Sequence, residues 1–418
     1  MNVKVSPALL HGTVRAISSK SYMHRTLICA SLADEPTVLH CTDSNRDIQA
    51  TANCLRALGA EIAERDGVYT VVPIRKRTKE NVQLFCDESG STLRFLLPIA
   101  ASLGIDAAFH ARGRLSLRPL SPLYEELRRN GAVLSPNGVF PLSVSGQLQG
   151  GEYILDGGIS SQFFTGLLMA LPLLDTDSTI KIIGALESAP YVRLTESVMN
   201  RFGVFPTMTE QSMTIAPSAY HTPKMLFVEG DWSNAAFWLV AGAIGGDICI
   251  TGLDMNSAQG DKEIVPLLKQ MGADITVCND SITVRKSTLT GIDIHAINIP
   301  DLVPILSVAA ACAQGETVIY GASRLRLKES DRIASVSGML TTLGIDCAET
   351  DDGLIIRGGT ICGGHVDACN DHRIAMSAAI AALASKTDII IKDAHAVDKS
   401  YPAFFTDFCS LGGIAVTA

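Results

Sequence analysis

Arg324, Arg326, Lys328 and Arg332 bring four cations into nine residues, interleaved with Glu329 and Asp331, immediately before an apolar-periodic run that begins at Ile333. A helix N-terminus carries roughly half a positive charge and unpaired backbone N–H groups, so cations crowded there repel unless an anion joins them. The stretch therefore asks for a bound anion. The competing reading is a solvated charged cap, with Glu329 and Asp331 favouring the dipole and the basic residues facing water. Recurrence of the pattern favours the anion.

The elements that must position these residues follow from self-similarity. Gly59, Gly131, Gly203, Gly272, Gly344 and Gly412 each close a helical pattern, at spacings of 72, 72, 69, 72 and 68 residues, and alternating apolar strand patterns follow each one. An earlier helix in each repeat is introduced at Ser21, Gly90, Ser161, Asp231, Asp301 and Asp371, at intervals of 69, 71, 70, 70 and 70 residues. A short strand lies between the two helices, at 37–40, 107–110, 179–183, 248–251, 317–320 and 388–392. One unit of helix, strand, helix and two strands is thus used six times. Six such units exceed one core of ordinary size, so the chain divides three plus three. The expected domains are 13–225, and 1–12 with 226–418. The crossing falls at 217–228, and the first dozen residues add a strand to the second domain.

The 418 residues are 47% hydrophobic and 18% charged, as in a soluble globular protein, and the formal charge of −9 argues against nucleic acid or an anionic membrane as the main partner. Eleven cysteines without C-x-x-C or metal-ligand spacing read as reduced thiols packed in a core, with no disulfides and no metal site. The N-terminus lacks a signal-peptide pattern, and the longest uncharged apolar run, 234–246, is too short to span a bilayer. The expectation is a cytoplasmic monomer.

Placed on this frame, the chemistry-bearing residues gather at helix starts. The first helices carry Ser19-Lys20-Ser21 with Arg25, Glu88-Ser89-Gly90-Ser91 with Arg94, Ser160-Ser161-Gln162, Asp301, and Asp371-His372-Arg373. The second carry Asp47, Arg114 with Arg118, Ser188 with Tyr191 and Arg193, Lys328 with Glu329 and Arg332, and Asp398-Lys399-Ser400. Parallel helices would bring these N-termini together as a nest for two anionic groups. Taken singly, Ser21, Ser161 and Ser188 could equally be N-caps, Arg94 a structural ion-pair partner and His372 a satisfied polar residue. Lys20 has no capping role.

The motifs 19–25 (SKSYMHR), 89–94 (SGSTLR), 118–120 (RPL), 160–162 (SSQ), 328–332 (KESDR), 371–376 (DHRIAM) and 399–402 (KSYP) resemble, in order and over the whole chain, those of the 3-phosphoshikimate 1-carboxyvinyltransferase family of enolpyruvyl transferases. That resemblance implies a mixed α/β (α+β) fold of two similar domains. Each has three β-α-β-α-β-β repeats around inward helices, with the active site between the domains. It also implies the ligands, shikimate 3-phosphate and phosphoenolpyruvate, and no metal or organic cofactor. By position, Lys20, Ser21, Arg25, Ser160, Ser161, Gln162, Ser188, Asp301 and Lys328 would hold shikimate 3-phosphate. Lys20, Gly90, Arg118, Gln162, Arg332, Arg373 and Lys399 would contact phosphoenolpyruvate. Asp301 would take the proton of the attacking 5-hydroxyl, while Glu329 and Lys20 would manage the proton at the methylene carbon.

The chain departs from the family pattern at Glu88 and Arg324, where asparagine is common. Arg324 is carried only as a further shikimate 3-phosphate contact, and Glu88 is not carried. The resemblance also implies that glyphosate competes for the donor pocket. Two alternatives remain. A transferase acting on UDP-N-acetylglucosamine would use a cysteine in the loop at 111–117, which has none. A non-catalytic anion-binding protein would have no use for Asp301 and Glu329 in a site built for anions.

Overall fold

A computed structural model describes residues 1–75 and 81–418. The chain forms two compact units, Ser18–Val228 and, from both ends of the chain, Met1–Ile17 with Glu229–Ala418. Both crossings fall a few residues later than the boundaries expected at 12/13 and 225/226.

Each repeat contributes two helices. The first unit holds α1 (Lys20–Leu32) and α2 (Arg46–Ala57), α3 (Gly90–Ser102) and α4 (Leu123–Arg129), then α5 (Ser161–Ala170) and α6 (Ala189–Arg201). The second holds α7 (Trp232–Gly245) and α8 (Ile264–Gln270), α9 (Val303–Ala311) and α10 (Arg332–Thr342), then α11 (His372–Ala381) and α12 (Phe404–Ser410). Among the described residues each repeat builds one four-stranded sheet, in which a parallel pair is extended by antiparallel strands.

The strand missing from the sequence-derived unit is the first of each parallel pair. In the second repeat Val82–Phe85 runs beside Ala107–His110, and in the third Glu152–Asp156 runs beside Ser178–Ile183. The first and fourth repeats borrow theirs. Met225–Phe227, which lies in the stretch read as a crossing, pairs with Thr37–His40, and Leu10–Arg15 pairs with Gly246–Thr251. The N-terminal segment supplies two strands rather than one, because Val3–Ser6 also sits between Ile389–Lys392 and Ile414–Thr417 in the last sheet. Three- to six-residue strands beside loops carry too little alternation to stand out in sequence.

The odd-numbered helices form the cores. Every residue of α7 is buried, as are all nine of α9, so these helices are apolar around their whole circumference. The even-numbered helices are amphipathic; α2 buries Ile48, Thr51, Ala52, Cys54 and Leu55 and exposes Arg46 and Asn53. Close approach of α5 to α3 depends on Gly166, where a Cβ would lie 2.2 Å from the Arg94 carbonyl oxygen. The thiols only partly fit the expectation of a packed core: Cys29, Cys41, Cys54 and Cys86 are buried, whereas Cys278, Cys362, Cys369 and Cys409 are exposed. Among the described residues, no helix is long and apolar enough to cross a membrane, and no group of three or more His, Cys, Asp or Glu could hold a metal ion.

Candidate active site

In the first unit the starts of α1, α3 and α5 do bring the marked residues together. Ser19 caps α1 by accepting from the Tyr22 amide, and Ser160 caps α5 by accepting from the Gln162 amide. Ser21 and Ser161 lie inside their helices, so the capping alternative fails for both. Ser188 stands before α6 in the left-handed region (φ 53°) with no side-chain capping bond. Lys20 pairs with Asp47 of α2 at 2.9 Å. Gln162 accepts from Arg94 Nη1 at 2.9 Å and donates to Ser91 Oγ at 3.1 Å, which ties α5 to α3. Arg94 also donates from Nη2 to the Pro119 carbonyl at 3.0 Å. Gly90 opens α3 in a confined space: a Cβ there would lie 2.6 Å from Arg118 Nη1 and 2.7 Å from Arg94 Nη1.

Arg25 is a cation of this unit that calls for an anion. It is buried, yet Nε donates to Thr195 Oγ1 (2.8 Å), Nη1 to the Ser21 carbonyl (2.6 Å) and Nη2 to the Tyr191 carbonyl (3.0 Å) and Thr165 Oγ1 (3.3 Å). Its ring neighbour is Phe95, 5.1 Å below the guanidinium. Among the described residues no carboxylate pairs with it, and burial draws its pKa down to about 10. A buried cation with only neutral acceptors is costly until an anion arrives.

In the second unit the Arg324–Arg332 stretch lies among protein carboxylates. Arg326, Lys328 and Arg332 there lie beside protein carboxylates, whereas Arg324 reaches a backbone carbonyl. Arg332, the first residue of α10, is buried and donates from Nη1 to Asp301 Oδ1, from Nη2 to Glu329 Oε2 and from Nε to Asp371 Oδ2, each at 2.8 Å. Arg326 pairs with Asp331 and Glu349, both at 3.2 Å. Neither a bound anion nor a solvated cap was needed to place Arg332. Glu329 and Asp371 are close enough in space to serve it because Asp371 caps α11 and Glu329 lies three residues before it.

Several assigned helix starts also shift. Asp301 lies in a 3-10 turn (Pro300–Leu302) ahead of α9, and Lys328 and Glu329 link the 3-10 turn Ser323–Leu327 to α10. Arg114 and Lys399 sit in 3-10 turns, and Arg118 follows the first of these, so the second helices begin later, at Leu123 and Phe404. These turns still deliver the side chains. Arg373 donates from Nη2 to Asp301 Oδ2 at 3.0 Å and from Nη1 to the Asp301 carbonyl at 3.1 Å, while Lys328 Nζ is 3.7 Å from Asp301 Oδ1. Lys399 Nζ donates to the Asn370 carbonyl at 2.7 Å, and Arg324 Nη2 reaches the Ile297 carbonyl at 3.4 Å. His372 is buried with Nδ1 3.9 Å from Asp371 Oδ1.

Electrostatics follow from this packing. Burial alone would raise the Asp301 pKa, but the charges of Arg373, Lys328 and Arg332 outweigh it and hold the carboxyl well below its ordinary range. Burial pulls Lys328 down to about 8, against the opposing pull of Asp301. If Lys328 holds an anion, that affinity falls as pH rises through about 8, because the charged form is lost there. Lys328→Arg should flatten this alkaline limb, which isothermal titration of shikimate 3-phosphate at pH 7 and 9 would show; an unchanged limb would exclude Lys328.

Asp261 was missed. It is buried beside Asp301 and Arg373, accepts from Ser233 Oγ, and is raised to about 7 by burial and by the Asp301 charge. Repeat spacing carried the signal, since Gln259-Gly260-Asp261 falls where the fourth repeat should start its second helix, about 70 residues beyond Ser188. A groove of about 620 Å³, lined by Ser44, Asn45, Arg46, Phe85, His110 and Arg112 among others, contains none of the assigned residues.

Two similar units of three repeats, with charged side chains at helix starts and in the 3-10 turns before them, have an enolpyruvyl-transferase architecture. The model of the family EPSP synthase (3-phosphoshikimate 1-carboxyvinyltransferase) matches residues 5–408. The chain is 41% identical to the 3-phosphoshikimate 1-carboxyvinyltransferase of Clostridium novyi, over 99% of this chain and 98% of that relative, and 42% identical to that of Clostridium perfringens with the same coverage. Among solved structures, EPSP synthase from Acinetobacter baumannii superposes with a TM-score of 0.83 at 28% identity, covering 100% of both chains. The enolpyruvyl transferase NikO from Streptomyces tendae shares the fold, with a TM-score of 0.78 at 20% identity and coverage of 99% and 98%. The chain belongs to the EPSP synthase (3-phosphoshikimate 1-carboxyvinyltransferase) family.

Proposed function

We propose that the chain transfers the enolpyruvyl group of phosphoenolpyruvate to the 5-hydroxyl of shikimate 3-phosphate and releases phosphate. The observation that carries this reading is Asp301, a carboxylate set among Arg332, Arg373 and Lys328. A site that only bound anions would gain nothing from a carboxylate there, whereas a transferase needs a proton acceptor beside its cations. Shikimate 3-phosphate is held by Lys20, Ser21, Arg25, Ser160, Ser161, Gln162, Ser188, Arg324 and Lys328. Phosphoenolpyruvate is held by Lys20, Gly90, Arg118, Gln162, Arg332, Arg373 and Lys399.

In the reaction the 5-hydroxyl oxygen bonds to C2 of phosphoenolpyruvate and passes its proton to Asp301. A proton delivered through Glu329 or Lys20 converts the methylene to a methyl group, giving a tetrahedral intermediate. Loss of one methyl proton and cleavage of the C2–O bond to phosphate then yield the enol ether. Arg332 and Arg373 grip Asp301 and weaken it as a base. Phosphoenolpyruvate, with its own carboxylate and phosphate for these guanidinium groups, would loosen that grip and restore basicity. Mass spectrometry of the reaction run in D₂O tests the scheme: the enolpyruvyl product should carry deuterium in its methylene group. No product, or a product free of deuterium, would contradict it.

Gly90→Ala tests the donor pocket. The added methyl must displace the Arg118 or Arg94 guanidinium, so KM for phosphoenolpyruvate should rise about tenfold, which corresponds to about 1.4 kcal/mol. The longer glyphosate should lose more. Equal losses in steady-state inhibition assays would remove Gly90 from the pocket wall.

A further inference from the structure

Four buried side chains form one hydrogen-bonded line from α1, through α2, to the turn that carries Gly90. His24 Nδ1 lies 2.7 Å from Thr51 Oγ1, and Thr51 Oγ1 lies 2.6 Å from Thr92 Oγ1. Thr92 Oγ1 donates to Ser89 Oγ at 2.7 Å, and the same Ser89 oxygen accepts from the Thr92 amide at 3.2 Å as the N-cap of α3. None of the four is more than 1% exposed. None is a position to which the family resemblance assigns a ligand.

The Thr92-to-Ser89 bond sets the polarity of the line. A hydroxyl owns a single proton. Thr92 gives its proton to Ser89, so it must accept from Thr51; Thr51 has then used its own proton and must accept from the ring. His24 therefore carries hydrogen on Nδ1. Its other nitrogen, Nε2, is buried without a hydrogen-bond partner among the described residues, and the ring stands edge-on to Phe95 at 6.4 Å. Burial, and then the charges of Lys20 and Arg25, hold its pKa well below 6.5, so the ring is neutral around pH 7 and the direction of the line does not reverse.

We infer that His24 is a positioning residue for the donor pocket: through Thr51 and Thr92 it fixes Ser89, and with it the place of the Gly90 backbone against Arg118 and Arg94. This rests on the reading of Gly90 as a phosphoenolpyruvate contact. The space there explains why such a device is needed. With guanidinium nitrogens 2.6 and 2.7 Å from where a Cβ would be, movement of the turn by a few tenths of an ångström changes how the donor is held. A chain of neutral bonds, each oriented by the next, fixes the turn without adding charge to an anion site.

Two matched pairs of variants separate positioning from packing. His24→Asn can return an N–H near Nδ1, whereas His24→Ala cannot; Thr51→Ser keeps the hydroxyl, whereas Thr51→Val keeps only the shape. His24→Ala and Thr51→Val should raise KM for phosphoenolpyruvate about 3- to 10-fold, the worth of one net hydrogen bond. The turnover number and KM for shikimate 3-phosphate should stay within about twofold, and Asn and Ser should restore most of the loss. Equal effects within each pair, or a parallel rise in both KM values, would overturn the inference. Should His24→Ala fail to fold, the Thr51 pair decides alone. Nitrogen-15 NMR of the unaltered protein at pH 7 gives a check independent of activity: His24 should show the Nδ1–H tautomer. The Nε2–H tautomer, or a charged ring, would break the line even if the enzyme turns over as proposed. Failure of the unaltered protein to use phosphoenolpyruvate, with the Nδ1–H tautomer present, would instead count against the functional reading.

Discussion

Asp301→Asn should lower turnover by about 10²- to 10⁴-fold, the range removed with a positioned general base, while leaving shikimate 3-phosphate affinity within about tenfold. The substitution keeps the shape of the side chain and removes its charge and its ability to accept a proton. Its neighbours make the outcome specific. Arg332 Nη1 and Arg373 Nη2 now each meet an acceptor at 2.8 and 3.0 Å. An asparagine can satisfy only one of them, because its NH₂ presents donors to donors. The loss therefore has a structural part, which should appear as lower thermal stability, and a chemical part, which should appear in single-turnover rates with both substrates saturating. A variant that bound both ligands and turned over within tenfold of the unaltered enzyme would remove Asp301 from the base role. The acid limb follows from the same contacts. The folded pKa of Asp301 is depressed, so its contribution to stability is present above the unfolded value of about 3.9 and is lost as pH falls toward the folded one. In Asp301→Asn that part of the acid dependence should be missing from urea titrations.

Arg332→Met should destabilise the protein by about 3–5 kcal/mol at neutral pH, the usual penalty for leaving buried charges without their partner. Three carboxylates, Asp301, Glu329 and Asp371, converge on this one side chain, which is itself only 2% exposed. Asp371 is fully buried and held below its ordinary range because the charges of Arg332 and His372 outweigh burial. With Arg332 gone, burial and the other carboxylates dominate, and the Asp371 pKa should rise above its unfolded value. A group raised in this way destabilises the fold above that pKa and is relieved as pH falls. The deficit should therefore be greatest near pH 8 and should shrink toward pH 5, which is the opposite trend to the unaltered protein. Urea unfolding at the two pH values reads it directly. A deficit below 1 kcal/mol at pH 8 would mean that the carboxylates are not held as described.

The sixfold period was legible because one glycine ends each second helix and one polar start precedes each first helix, features that survive when the apolar residues vary. The first strand of each repeat was not legible. In two repeats it is borrowed from a distant part of the chain, as with Leu10–Arg15 beside Gly246–Thr251, and no local window contains both partners. The candidate site residues stood out in the sequence because charge at a helix start is unusual. Their pairings were not found. Arg332 looked like a cation in need of a ligand, but its counter-ions come from 31 and 39 residues away and from Glu329. Arg25, which drew no special argument from sequence, is a buried cation among neutral acceptors. Spacing can locate a charge, but only packing decides whether the fold has already neutralised it.

The most direct test of the central claim is phosphate release from phosphoenolpyruvate with shikimate 3-phosphate, with UDP-N-acetylglucosamine, or with neither. One equivalent of phosphate per enolpyruvyl product is expected with shikimate 3-phosphate and none with the other two. Release with the sugar nucleotide alone, or with no acceptor at all, would contradict it.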